Sequence, residues 1–301
     1  MNAFFRKWWT YQRERFPVFA HGLLILAFSF SAVAFSALLR GGMPTWSSAA
    51  VAFANSFLAF LQLRIADEFK DAREDALHRP YRPVPRGLIT LRELGWLWAG
   101  TALVQAALAL WLDVRLLPWL AVTWTWLALM SREFFVSEWL RKQPVITLFS
   151  HMFIMPLIDF YATACDWQPE AGRAPQGLFW FVAVSFCNGM VIEIGRKIRG
   201  LPEEEKGVET YTALWGRPMA VAAWWLALVT TLVCAWQAGR QIDFFLPVVG
   251  TLGILLLASL VVGVYFLRMP TKKWSGKFEA ISGLWTLALY LLLGAIPLFF
   301  S

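Results

Sequence analysis

Asp67, Asp71 and Asp75 stand at four-residue steps in "RIADEFKDAREDALHRPYRPVPRGLI", residues 64–89. Four residues turn an α-helix by about 400°, so the three carboxylates drift only about 40° per step and share a face. Like charges at that spacing cost a helix about 0.2–0.5 kcal/mol per pair. A row of three therefore calls for a positive partner. Lys70 and Arg73 point around the helix, whereas a divalent cation fits: Mg²⁺ is held by one or two carboxylates together with phosphate oxygens of a substrate. Arg79, Arg82 and Arg86 follow, interleaved with Pro80, Pro83 and Pro85. The prolines stop the helix and stiffen the loop. Guanidinium groups on a stiff loop suit bidentate contact with phosphate. Acids holding a metal, with arginines opposite, can grip a diphosphate and stabilise it as it leaves. A solvated helix extension followed by ordinary basic loop residues is the plainer alternative.

The elements that must carry this cassette are apolar. The chain of 301 residues is 58% hydrophobic and 16% charged, against about 25% charged in soluble domains, and has a mean hydropathy of +0.55. Its apolar residues fall into blocks long enough to cross a bilayer. The expected architecture is an all-α polytopic membrane protein, one membrane-embedded domain over 1–301. Nine spans are expected, at 17–39, 45–66, 94–112, 116–136, 144–165, 176–195, 219–238, 244–267 and 279–300.

Charge tests that division. All basic residues except Arg40, Arg115, Arg173 and Arg240 fall in the N-terminal segment or the even-numbered loops. Lys and Arg accumulate on the cytoplasmic side, which puts the N-terminus and loop two in the cytoplasm of a cell (inner) membrane protein. The net charge of +7 follows from this topology and attraction to anionic lipid, with no nucleic-acid partner needed. No cleavable signal is evident in the charged, aromatic first residues. Cys165, Cys187 and Cys234 lack metal or redox spacing and read as small apolar residues.

With these residues in place the chain resembles the UbiA-type superfamily of membrane-embedded prenyltransferases. That family's first signature is an Asn or Asp, then two Asp at four-residue steps, followed by an arginine and an Arg-Pro. Asp67, Asp71 and Asp75 fall on the acidic positions, Asp67 where Asn is usual, and Arg79 and Arg82-Pro83 fall on the basic ones. The Asp75-to-Arg82 spacing is shorter than in the ubiquinone-pathway members. The resemblance implies a nine-helix bundle, Mg²⁺ (or Mn²⁺) as cofactor, and two substrates: an isoprenyl diphosphate donor and a lipophilic acceptor such as an aromatic ring.

A second acidic motif, expected after the sixth span, is altered here. Counting back from Gly207, its positions fall on Arg199 and Glu203; a shifted register offers Glu193 and Lys197. Arg196, Lys197 and Arg199 can replace a second metal by gripping phosphate directly, with Glu193 and Glu203 as remaining carboxylates of a run that includes Glu204 and Glu205. Equally, Glu193 can simply pair with Lys197 at i, i+4. This alteration keeps two alternatives open: a terpene cyclase with the same ionisation step, and a divalent-cation transport or binding protein on the same fold.

Lesser candidates are Asp159 within the fifth span, His151 with Met152 and Met155, and Arg132, Glu133 and Glu138 in loop four, where ordinary solvation is expected. His21 and His78 are isolated. Phe57, Phe60, Trp124, Trp126, Phe153 and Phe186 are mid-span aromatics suited to lining an isoprenoid pocket.

Overall fold

The computed structural model describes residues 3–204 and 209–300. Its first helix, α1 (Ala3–Arg15), is short, aromatic and basic, and ends at Phe16-Pro17 because Pro17 cannot continue its hydrogen bonding. Next come α2 (Val18–Leu39), α3 (Trp46–Lys70), the short α4 (Ala72–His78) and α5 (Leu91–Leu112). Thr45 caps α3 by accepting from the Ser48 N–H at 3.2 Å, and Thr90 forms a reciprocal capping box with Glu93 at α5. Beyond a single 3₁₀ turn lies α6 (Leu117–Ser131), then α7 (Ser137–Arg141), α8 (Pro144–Met152) and α9 (Ile154–Ala171). The rest comprises α10 (Leu178–Arg196), α11 (Tyr211–Trp215), α12 (Arg217–Gln241), α13 (Phe245–Arg268) and α14 (Lys272–Leu293).

Among the described residues, nine segments are long and apolar enough to cross a membrane: α2, α3, α5, Val114–Ser131, Pro144–Ala171, α10, α12, α13 and Lys272–Phe299. The nine expected spans are all present, with shifted edges that have local causes. The fourth stops at Ser131 rather than 136, because Glu133, Phe134 and Phe135 turn left-handed at φ 49°, 52° and 59°. The fifth runs on to Ala171 and is broken between Met152 and Ile154. The ninth starts at Lys272 rather than 279, since Thr271, in extended conformation, stands at the N-cap of the helix.

The helix α10 is the most enclosed span, whereas α5 and α13 turn most of their surface outward. Glycine sets one close approach: a Cβ at Gly195 on α10 would lie 3.0 Å from Trp224 Nε1 and 3.2 Å from the Phe278 carbonyl, so α10 comes close to the backbone of α14 with the Trp224 ring of α12 against it. Asp159 is fully buried on α9 and accepts from the Tyr290 hydroxyl of α14 at 2.7 Å, which ties two spans together. Cys165 and Cys187 are buried free thiols and Cys234 is half-buried.

The basic segments gather at one end of the bundle. Glu14 of α1 holds Arg86 of loop two through two contacts of 2.9 Å, Lys7 pairs with Glu93, and Lys70 pairs with Glu133 of loop four. At the opposite end Arg40 and Ser36 converge on the buried Asp166, at 2.7 and 2.6 Å. Among the described residues these ion pairs join even connections to one another and odd connections to one another.

Candidate functional site

The acidic cassette lies at the basic end, where α3 passes into α4. Backbone bonds Asp71 N to Asp67 O (2.9 Å), Asp75 N to Asp71 O (2.8 Å) and Arg79 N to Asp75 O (2.8 Å) continue the four-residue ladder across the bend at Asp71. The expected shared face therefore exists, although two helices and a bend build it. The three carboxylates then part company according to their neighbours.

Asp75 is buried, and both of its oxygens are occupied. Arg82 Nη1 donates at 2.8 and 2.6 Å and Arg79 Nη1 at 3.1 Å. Arg79 and Arg82, expected opposite Asp75 across a bound diphosphate, here neutralise Asp75 itself. Positions four and seven residues on fall on its face, and a buried carboxylate demands compensation. Arg86 is likewise spent on Glu14 and on the Tyr81 carbonyl, at 2.7 Å.

Asp71 is the opposite case. Among the described residues its side chain has no hydrogen bond or ion pair, and burial, with the charges of Asp67, Asp75 and Glu74 adding to it, holds its carboxyl above the ordinary carboxylate range despite Lys70. Asp67 is half-exposed and meets Arg64 only at 3.5 Å. Two adjacent carboxylates, one unpartnered and one loosely paired, are the donor set that a Mg²⁺ shared with phosphate oxygens requires. Among the described residues no group of three or more His, Cys, Asp or Glu side chains forms a fuller cage.

The altered second motif sits across from Asp67 at the end of α10. Glu193 accepts from Arg196 Nε at 2.6 Å and lies 2.9 Å from Lys197 Nζ. The i, i+4 pairing is thus realised, joined by an i, i+3 one, and Glu193 is held between two cations. Arg196 in turn feels the charge of Asp67, and Lys197 Nζ lies 5.6 Å over the Tyr211 ring. Arg199 points away, towards Glu279 at 3.9 Å, while its N–H binds Thr212 Oγ1 at 3.1 Å. Glu203 is engaged by the Gly200 N–H at 3.1 Å and by the Ser275 hydroxyl, so it fastens loop six to α14. Neither Arg199 nor Glu203 joins the cluster, and Glu204 takes the hydroxyls of Thr210 and Thr212, each at 2.6 Å. Glu205 lies outside the described residues.

Loop four closes over this end. Glu133 meets Lys70, and His151 Nε2 lies 3.4 Å from Lys70 Nζ. Three successive non-glycine left-handed residues, at about 1–2 kcal/mol each, make the turn strained, as backbone at functional sites often is. Beneath it Phe134 and Trp126 meet edge to face at 5.3 Å, followed by Phe153 at 4.9 Å and Phe186 at 6.1 Å. Of the aromatics expected to line a pocket these three align, whereas Phe60 packs on Phe28, Trp124 binds Gln105, and Phe57 faces α1. Sequence reading overlooked Arg64 and the buried Arg15–Glu68 pair. Their one signal was an acid beside Asp67 facing a basic N-terminal segment.

The fold and this end of the bundle place the molecule among intramembrane helical enzymes. Residues 25–278 match the model of the UbiA prenyltransferase family, and the chain belongs to that family. A relative from Korarchaeum cryptofilum (strain OPF8), digeranylgeranylglyceryl phosphate synthase, is 26% identical over 204 residues, covering 65% of this chain and 68% of the relative. The apo structure of a UbiA homolog from Aeropyrum pernix K1 superposes with a TM-score of 0.67 at 15% identity, over 92% of this chain and 97% of that one. A structure of digeranylgeranylglyceryl phosphate synthase gives 0.66 at 15% identity, over 97% and 99%. The protein is a membrane-embedded prenyltransferase.

Proposed function

We propose that the chain, acting as one membrane-embedded domain, ionises an isoprenyl diphosphate at the Asp67–Asp71 pair and transfers the prenyl group to a lipophilic acceptor, aromatic rings included. The observation that carries this reading is Asp71: among the described residues a half-buried carboxylate without a partner, beside a second carboxylate, Asp67, whose charge acts on Arg196 of loop six. Asp67 and Asp71 would hold Mg²⁺ (or Mn²⁺), which supplies countercharge to the diphosphate as its bridging oxygen takes up the electron pair.

The residues of the chain divide the remaining work. Arg196 and Lys197, anchored on Glu193, present their remaining N–H groups to the diphosphate in place of a second metal. Asp75 holds Arg79 and Arg82 against the loop, with part of each guanidinium still exposed towards the same anion. The allylic C–O bond breaks with its electrons on the departing pyrophosphate. The acceptor's nucleophilic atom then bonds the allylic carbon and gives up its proton to water. Loop four and the Trp126–Phe153–Phe186 aromatics shield the cation and offer it their ring faces. The distribution of Lys and Arg supports a cell (inner) membrane location with this end in the cytoplasm.

The test is pyrophosphate release by the purified protein from a panel of isoprenyl diphosphates with Mg²⁺. Release that requires the metal and vanishes in Asp71→Asn is expected. No release from any donor, with Mg²⁺ still bound through Asp71, would overturn the reading.

A further inference from the structure

At the end of the bundle opposite the Asp67–Asp71 pair, a cavity of about 390 Å³ opens between the start of α6 and the C-terminus of α9. Both helix ends stand at a membrane boundary, since Val114 opens the fourth span and Ala171 closes the fifth. Three rings wall the cavity. Trp119 and Phe160 meet edge to face at 4.9 Å, and Trp167 stands 5.8 Å from Phe160 and 6.2 Å from Trp119. Tryptophan at a span end suits the headgroup level of a bilayer, where an amphipathic ring meets both apolar and wet surroundings.

The polar lining is Arg115, Arg173 and Gln168, with no acid among the residues that line the cavity. Gln168 is buried, at 7% exposure, yet its side-chain amide has no hydrogen-bond partner among the described residues. A buried polar group left unpaired costs about 1–3 kcal/mol, which a ligand can return. Arg115 donates to Asp113 through Nε at 3.0 Å and Nη2 at 2.6 Å, and Nη2 also reaches the Gln168 carbonyl at 2.9 Å, capping α9. Its Nη1 has no acceptor among the described residues. That nitrogen lies over Gly172, where a Cβ would come within 3.1 Å; glycine, left-handed at φ 68°, ends α9 and leaves the nitrogen uncovered. Arg173 is exposed and, among the described residues, makes no ion pair. Helix capping explains Arg115, but neither Arg173 nor the Gln168 amide. Basic residues are scarce at this end: of those in the odd connections Arg40 is spent on Asp166, whereas Arg115 and Arg173 both come to this cavity.

Unanswered N–H groups from two guanidiniums and an amide are complementary to an anion that accepts several bonds at once. The rings beside them ask for apolar atoms attached to that anion, and the volume lies in the range of small-molecule sites, about 300–1,000 Å³. We propose that this cavity binds the anionic phosphate head of a bilayer lipid, in the leaflet opposite the prenyl-transfer site. Arg115 Nη1, Arg173 and the Gln168 amide meet the phosphate oxygens, and Trp119 and Phe160 cover the glycerol and the first methylenes. The bound head joins the turn before α6 to the turn after α9. A free phosphate ion offers the same oxygens and nothing for the rings, and the test separates the two. The site shares no residue with the prenyl-transfer centre and stands without it.

Delipidated full-length protein in detergent is irradiated with phosphatidylglycerol carrying a photoreactive group on its head, and the labelled peptides are mapped by mass spectrometry. Label is expected at Trp119 and in residues 167–174, and the mapping keeps it apart from label at the basic end. Unlabelled phosphatidylglycerol should compete at the cavity about tenfold better than diacylglycerol of the same chains, the range of one charge-assisted contact. It should also compete about tenfold better or more than glycerol phosphate, which has the anion and no chains to bury. Arg173→Gln and Gln168→Leu should each lower labelling at the cavity by a few-fold and leave labelling at the basic end unchanged. Arg173 is exposed, and Gln168→Leu keeps the carbonyl that Arg115 uses, so both variants are expected to melt as native protein does without lipid. Absence of label at the cavity, label indifferent to both variants, or equal competition by diacylglycerol overturns the proposal. Competition by glycerol phosphate as strong as by the lipid also overturns it, in favour of a site for a free anion.

Discussion

Loop two and loop six each bring a carboxylate to the same end of the bundle, with opposite electrostatic outcomes. Asp71 has like charges around it and, among the described residues, no cation in contact. Glu193 is more deeply buried, yet Arg196 and Lys197 neutralise it at one helical turn's distance. Burial alone does not decide whether a carboxylate is paired; the residues three and four positions away, cationic for Glu193 and acidic for Asp71, do. Asp75 repeats the lesson inside loop two, where arginines four and seven residues on turn an acidic position into part of the scaffold.

Four measurements break or sharpen that contrast. The largest expected effect is on turnover: Asp71→Asn should cut Mg²⁺-dependent pyrophosphate release about a thousandfold, the scale of losing a pre-aligned charge partner, and Glu193→Gln much less. Equal losses would erase the distinction between the loops. Next comes stability. Asp75→Ala strands two arginines and should cost roughly 2–3 kcal/mol, below a fully buried pair because both keep some exposure; thermal unfolding reads it. Asp75→Ala combined with Arg82→Ala should recover part of that loss, and no recovery would mean the pairing is incidental.

The third is pH dependence. The folded-state pKa of Asp71 lies above its ordinary 3.8, so the fold favours its protonated form. In metal-free protein that contribution to stability is complete below 3.8 and is lost as pH rises through the raised value. Asp71→Asn should therefore flatten the stability profile over that window, and Mg²⁺ binding should weaken there as pH falls. An unchanged profile would show that Asp71 has a partner in solution. The smallest effect concerns loop four. Phe135 is 76% exposed at φ 59°, so Phe135→Gly should stabilise the protein by about 1 kcal/mol, detectable as a small rise in Tm. Destabilisation would mean that the left-handed turn is held by contacts of the ring.

The sequence by itself determined what depends on short-range periodicity. Apolar blocks set the nine spans, the alternation of basic residues sorted the loops into two groups, and four-residue spacing put Asp67, Asp71 and Asp75 on one face. The pairing of Glu193 with Lys197 was readable for the same reason, because partners within one turn meet whatever the rest of the chain does. Only the tertiary structure decided the use of each charge. Glu14 claims Arg86 across 72 residues of chain and Arg15 claims Glu68 across 53. Lys70 found Glu133 in loop four, and α1 folded back to set Tyr11 beside an apolar trough with Phe57 and Leu61 of α3. Such partners are fixed by how helices pack and where loops return. Pairing over those separations is a property of the assembled bundle, in which a buried charge takes whichever counter-ion the packing brings within reach.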